Sequence, residues 1–181
     1  ISNLLEQEGY IPIRHDWRME IEMKTPPPVP VWPEGISVRT LIPGQDERTV
    51  HRVIQDAFSD LAHRAYQPFE EWEQWAIKRN DFDPSLVFPV MAGEDPVGAA
   101  LCYNYPDEGW VRQIAVLRQW RGRGIALQLL YHIFGEFYHR GIRRVGLIVD
   151  SQNATGATRL YERAGMHIAL QLDTYEKKLY P

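Results

Sequence analysis

Apolar residues along this chain change their period repeatedly, and the changes mark its elements. Residues 36–42 have strand character. Residues 86–91 and 97–105 predict a hairpin around Gly93-Glu94-Asp95-Pro96, and the turn Pro106-Asp107-Glu108-Gly109 leads to a third strand over 110–116. Residues 46–58 place Val50, Val53, Ile54 and Phe58 at helical spacing, and 68–78 is a second helix with proline in its first turn. After a glycine-bearing loop, Ile125, Leu129, Leu130, Ile133, Phe134 and Phe137 share one face of a long helix that Gly141 stops near residue 140. A short strand over 145–149, a helix over 153–164 closed by Gly165, and a strand pair over 166–172 and 174–179 complete the order. The sequence β-α-α-β-β-β-α-β-α-β-β predicts an α/β chain with a mixed sheet.

Residues 24–34 hold Pro26, Pro27, Pro28, Pro30 and Pro33, which exclude a helix or a central strand and favour an extended spacer. Residues 1–23 and 35–181 are therefore expected to be separate units. An echo links them: at an offset of 156, Leu4, Glu6, Gly9 and Glu20 match Leu160, Glu162, Gly165 and Glu176. Residues 1–23 then read as a helix plus strand pair, the tail of an upstream copy of the same fold. A chain that opens on Ile1 in helix-like sequence is expected to be a piece of a longer protein.

Composition narrows the class. The chain has 181 residues, 44% of them hydrophobic and 24% charged, with a net charge of −4. That suits a folded domain with its own core and argues against wholesale disorder and against nucleic acid as the default partner. No apolar run approaches the roughly 20 residues of a membrane helix, so neither membrane nor nucleic acid is expected as a partner and a cytoplasmic location is the default. Cys102 is the single cysteine, which excludes an internal disulfide and a cysteine-built metal site; no metal is expected. Among apolar strand neighbours, its thiol reads as buried and inert.

The chemistry concentrates in residues 111–126. A strand runs into Gln119-Trp120-Arg121-Gly122-Arg123-Gly124-Ile125-Ala126, where a helix begins. A helix start offers unpaired N–H groups and the positive end of the dipole, two glycines open the backbone, and two arginines add charge. This combination suits a pyrophosphate. The nucleoside-triphosphate loop would need Gly-Lys-Ser/Thr, which is absent. The dinucleotide loop would need a third small residue where Leu127 stands. A plain glycine turn decorated with arginines is the other reading of this segment.

At these residues the chain resembles the GCN5-related N-acetyltransferase (GNAT) family. The acyl-CoA motif, Gln/Arg-x-x-Gly-x-Gly/Ala, is matched by Gln119, Gly122 and Gly124, and a second motif by Asn153 followed by Leu160-Tyr161-Glu162 and Gly165. Met166 stands where the family usually has an aromatic residue. The resemblance covers nearly all of residues 35–181 and implies a mixed, mostly antiparallel sheet flanked by helices, with splayed central strands. It also implies an acyl-CoA-dependent N-acyltransferase, acetyl-CoA as cofactor, and direct attack by a small-molecule or peptide amine. The alternatives are a non-catalytic acyl-CoA sensor and the scaffold half of a tandem protein; the chain resembles the second half of members with the mycothiol-synthase-like tandem architecture. A second copy of the chain, as a homodimer, or an upstream GNAT-like domain would then be its protein partner.

Carried onto this sequence, the resemblance implies that the backbone of Ile114, Ala115 and Val116 pairs with the pantetheine arm. Arg121, Gly122, Arg123, Gly124, Ile125 and Ala126 would hold the pyrophosphate, with Asn153, Ala157 and Tyr161 along the cofactor. Asn153 also reads as a helix cap, and Tyr161 as a core residue beside Ala157, Leu160 and Ala164. As a catalytic residue, Tyr161 would donate a proton to the departing thiolate. Glu108 is the carboxylate named for the general base, with Asp107, Glu70, Glu71, His63 or a water chain as alternatives. Tyr66, Phe69, Trp72, Trp75, Tyr103 and Tyr105 cluster where an acceptor pocket would lie, and the acidic surplus favours a cationic acceptor.

Overall fold

The meander expected over residues 86–116 forms the middle of one seven-stranded sheet. The computed structural model describes residues 2–61, 64–152 and 156–178. Its strands are β1 (Ile11–Glu22), β2 (Ile36–Val38), β3 (Val87–Ala92), β4 (Asp95–Asn104), β5 (Gly109–Val116), β6 (Arg144–Asp150) and β7 (His167–Glu176). They stand in the order β2-β3-β4-β5-β6-β1-β7, antiparallel throughout except for the parallel contact of β5 with β6. The helices are α1 (Ser2–Gln7), α2 (Glu47–Phe58), α3 (Phe69–Ala76), α4 (Ile125–His139) and α5 (Ala157–Arg163).

The sheet separates two cores. On one face α2 and α3 bring Val50, Ile54 and Trp72 against Ala99, Leu101 and Ala115. On the other, α4 brings Leu129, Ile133, Phe134 and Phe137, and α5 Tyr161, against Phe88, Ala100, Cys102 and Val111. The period of 3.6 lets α2 and α4 each offer an apolar stripe to one layer, while β4, buried on both faces, alternately sends Ala99 and Leu101 to one core and Ala100 and Cys102 to the other. Cys102 is fully buried and its thiol is pushed up by burial, as an inert core thiol should be. β2 is shorter than the strand expected over 36–42 because Pro89, opposite its continuation, has no N–H to offer the ladder.

Two expectations are corrected at the sheet's far side. Residues 11–22 form one continuous strand rather than a pair, and so do 167–176. The turn expected near Asp173 does not form, because Asp173 pairs with His15 and Thr174 with Arg14 across the β1–β7 ladder. Bulges between Pro12 and Arg14 and between Arg18 and Met19 take up the mismatch of the long register. Nor are residues 1–23 structurally separate from 35–181: β1 lies between β6 and β7, and Met19 is fully buried in the common core. The proline segment is seated rather than free, since Val31 donates its N–H to Gln128 Oε1 at 2.8 Å and Trp32 packs near His132 on α4.

The sequence echo has a counterpart in hydrogen bonds. After α1, Gly9 donates to the Glu6 carbonyl and Tyr10 to that of Leu5; after α5, Gly165 donates to Glu162 and Met166 to Tyr161. Both glycines are left-handed, with φ of 83° and 100°, so both helices end in the same Schellman turn and pass into neighbouring strands.

Gly109 begins β5 where a Cβ would stand 2.7 Å from the Phe137 ring, and that ring is fully buried. Gly109→Ala is therefore expected to lower the unfolding free energy by about 1–3 kcal/mol in denaturant titration, the cost of overpacking a filled core.

Candidate active site

The site begins where a ladder stops. β5 and β6 pair only at Gly109–Val145 and Trp110–Gly146, and beyond these residues they part. Immediately past that point the β4–β5 register shifts, with Cys102 facing Val111 and Leu101 facing Gln113, so that Arg112 is the extra residue of a bulge. A bulge bends its strand and increases its twist, which carries β5 away from β6. The exposed flank of β5 has defined groups. Leu117 N–H donates to the Val97 carbonyl at 2.9 Å on the β4 side, so alternation turns the N–H and C=O of Val116 and Ile114 toward the opening. Ala115 spends its backbone on β4 and contributes its side chain to the wall of the opening.

The loop after β5 arranges its amides around two left-handed glycines, Gly122 at φ 75° and Gly124 at φ 81°. A side chain at either would meet nothing within 4 Å, so it is the backbone angle that calls for glycine here. Among the described residues, no backbone acceptor takes the N–H groups of Gly122, Arg123, Gly124, Ile125, Ala126 or Leu127. Six consecutive donors at the positive end of a 15-residue helix form an anion cradle. The N–H of Arg121, expected in this set, is bound to the Arg118 carbonyl.

The side chain of Arg121 is also committed. It donates to Asp60 at 2.7 Å, to the Ala57 carbonyl at 2.6 Å and to the Val116 carbonyl at 3.1 Å, tying the loop to α2. The Arg121 guanidinium holds the Asp60 carboxyl below its usual range. Arg123 instead stacks over Trp120 at 4.5 Å and, among the described residues, reaches only the Gln119 carbonyl; unlike its neighbours in the loop, it does not line the adjoining cavity.

These parts line a cavity of about 350 Å3 together with Ala157 and Tyr161 of α5 and Phe58 of α2. Ile114, Ala115, Val116, Arg121, Gly122, Gly124, Ile125, Ala126, Ala157 and Tyr161 are thus brought together, while Asn153 and His63 lie outside the described residues. Tyr161 is 8% exposed, and burial pushes its phenol up to about 12, with the charge of Arg64 opposing.

A second cavity of about 850 Å3 lies on the α2–α3 side and shares the wall of Phe58. Trp75, Tyr66 and Glu71 line it, as does Trp110; Arg14, Asp16, Arg64 and Arg112, which the sequence did not single out, line it too. The signal for Arg112 was present: Arg112-Gln113 breaks the apolar alternation of 110–116, as a bulge does. Gln113 turns inward and accepts from the buried Trp72 Nε1 at 2.9 Å. Trp72, Phe69, Tyr103 and Tyr105 belong to the core beneath, where the Tyr103 hydroxyl donates to the Ala76 carbonyl at 3.0 Å.

Glu108 is not part of either cavity. It stands at the closed end of the splay, bound by Arg18 at 2.6 Å with Arg144 at 3.8 Å, so its carboxylate anchors three strands and is withheld from proton transfer. Asp107 lies in a separate hollow beside Arg143 and Arg144, and Glu70 pairs with Arg48 on the surface of α3.

The site is thus a mixed sheet parted between parallel neighbours, with an amide cradle at the mouth of the opening. The pattern of the Acetyltransferase (GNAT) family matches residues 49–166, and the chain belongs to that family. It is 31% identical over 163 residues to a mycothiol acetyltransferase from Thermobispora bispora, covering 82% of this chain and 52% of that protein. A second mycothiol acetyltransferase, from Kytococcus sedentarius, is 31% identical over 179 residues, covering 92% of this chain and 58% of the relative. The chain thus spans about half the length of the curated relatives it matches. A crystal structure of a GCN5-related N-acetyltransferase from Sphaerobacter thermophilus superimposes with a TM-score of 0.82 at 42% identity, over 96% of this chain and 54% of that one. Among the described residues no helix is long and apolar enough to cross a membrane.

The two loop arginines should separate in thermal unfolding. Arg121→Met removes bonds to two carbonyls and a carboxylate and is expected to lower the midpoint by about 2–6 °C. Arg123→Met should move it by no more than about 1 °C.

Proposed function

We propose that this chain is an acyl-CoA-dependent N-acetyltransferase, taking acetyl from acetyl-CoA and passing it to an amine by direct attack. The observation that carries this reading is the run of six uncommitted amides from Gly122 to Leu127, five of whose residues line the same cavity as Ile114 and Val116, on the unladdered edge of β5, and Tyr161. The cradle fits a diphosphate, and the strand edge fits an amide-bearing arm that can take the place of the missing ladder. When bound, acetyl-CoA supplies the activated thioester carbon and a thiolate leaving group.

The chain's own residues then have distinct tasks. Outward N–H groups of β5 are donors for a developing oxyanion. Tyr161, neutral at every physiological pH, gives a hydrogen bond to a departing sulfur. A phenol near 12 holds its proton more firmly than a thiol of about 8.5, so the bond stabilises the thiolate and full transfer need not precede departure. Glu71 and Asp56 face the second cavity with no cation within 4 Å among the described residues, and they are the carboxylates available to take the amine's proton. Phe58, shared by both cavities, marks where acceptor and thioester would meet.

The whole protein is proposed to be a tandem one. In this reading residues 1–23 are the end of an upstream repeat, residues 24–34 the connection and residues 35–181 the catalytic domain. The matched Schellman turns of α1 and α5 support a common origin. A cytoplasmic site of action belongs to the same proposal.

Calorimetry with acetyl-CoA should give binding at micromolar ligand, and absence of heat at high micromolar concentration would overturn the reading. Tyr161→Phe should lower kcat about 10- to 100-fold while acetyl-CoA affinity changes less than about threefold; a variant that binds acetyl-CoA and transfers at the wild-type rate removes Tyr161 from the chemistry. Because burial raises the phenol, its protonated form persists as pH rises, and kcat should show no loss assignable to Tyr161 between pH 8 and about 10. An alkaline fall in that window that disappears in Tyr161→Phe would contradict this.

A further inference from the structure

The second cavity has charges that the acetyl-transfer reading does not use. Arg64 and Arg112 both line it, from the segment after α2 and from the bulge of β5. Each guanidinium rests on an aromatic wall: Arg64 on Phe58 at 4.4 Å and Arg112 on Trp75 at 4.7 Å. Stacking of this kind fixes the plane of a guanidinium and leaves its N–H edges free to donate. Among the described residues neither has a carboxylate within 4 Å, whereas Arg14, in the same cavity, is bound to Asp16 at 2.7 Å. Arg64 and Arg112 are both exposed to solvent, and partial packing around the Arg64 guanidinium, with the like charges of Arg112 and Arg14, holds it below the ordinary arginine value. Arg64 and Arg112 thus present open N–H edges to one hollow, where a single anion can accept from both. The net charge of −4 describes the chain as a whole and not this wall.

We propose that the acceptor is an amine that also carries an acid group, a carboxylate or a phosphate, and that Arg64 and Arg112 hold this group. The assignment rests on the acetyltransferase reading and names the substrate class of that site. The cavity suits such a zwitterion. Its acid end meets the arginine pair, its body lies along Trp75 and Trp110, and its ammonium is left for Asp56 and Glu71.

Matched amines test this, with two readouts. Phenylalanine is compared with phenethylamine, and phosphoethanolamine with ethanolamine, so that carboxylate and phosphate are distinguished. Binding to the protein without acetyl-CoA is followed by tryptophan fluorescence, which Trp75 and Trp110 report from the cavity wall; turnover is followed by thiol release. At least one acid-bearing amine is expected to bind about tenfold or more tightly than its neutral partner and to be acetylated with the higher kcat/KM. Arg112→Met and Arg64→Met should each raise its Kd about tenfold, and Arg112→Lys should restore part of the loss. Both acid-bearing amines binding no better than their neutral partners, an affinity indifferent to both Met variants, or acetylation of the neutral amines alone would overturn the assignment. Charge-selective binding with no turnover of any amine would instead overturn the acetyltransferase reading, and the acceptor assignment with it.

Discussion

The structure depends on the interruption of one ladder. β5 and β6 are parallel neighbours that share two residue pairs and then diverge, so that in the middle of a sheet their facing edges lose each other as ladder partners. Unpaired buried backbone groups are costly, so a fold that keeps them must gain elsewhere. Here the flanks are fixed independently: β5 is held along its length by β4, and β6 by β1 from Glu22 to Asp16. Glu108 and Arg18 clamp the closed end, Gly109 admits the Phe137 ring over it, and the Arg112 bulge sets the angle. The opening is therefore a built feature of a rigid sheet, and both cavities take their walls from it.

The same economy governs the charges. Of the arginines near the opening, Arg121 and Arg14 are bound by carboxylates and act as struts, one tying the loop to α2 and the other closing on β1. Arg64 and Arg112 lie on aromatic rings with no carboxylate within 4 Å among the described residues, and Arg123 lies on Trp120 with one donor on the Gln119 carbonyl. The distinction between strut and ligand-facing cation is one of partners, not of residue type or position in a motif. It divides Arg121 from Arg123, two residues apart in the same loop.

The amino-terminal strand is part of what holds this site in shape. β1 fills the place between β6 and β7, so the segment before the prolines supports the strand whose departure from β5 makes the site. Its preceding helix ends in the same pair of hydrogen bonds as α5, with Leu5 where Tyr161 stands. β1 supports β6 along its length, while Tyr161 of α5 lines the cavity.

Much of the molecule was legible in one dimension. The meander, α2, α3 and α4, the stop at Gly141 and the amide loop follow from periodicity and glycine placement, because each is set by contacts within a few residues or by an apolar stripe a few turns long, whereas Tyr161 was singled out by a family resemblance. Sequence could not place what depends on which strands become neighbours. The seating of β1 inside the sheet, the single β7, the spending of Arg121 and Glu108 on ion pairs and the meeting of Arg64 with Arg112 are all long-range pairings. Glu108 and Arg18 are 90 residues apart and Arg121 and Asp60 are 61 apart. A side chain's type says what it can bind, but only the folded sheet decides which partner reaches it first.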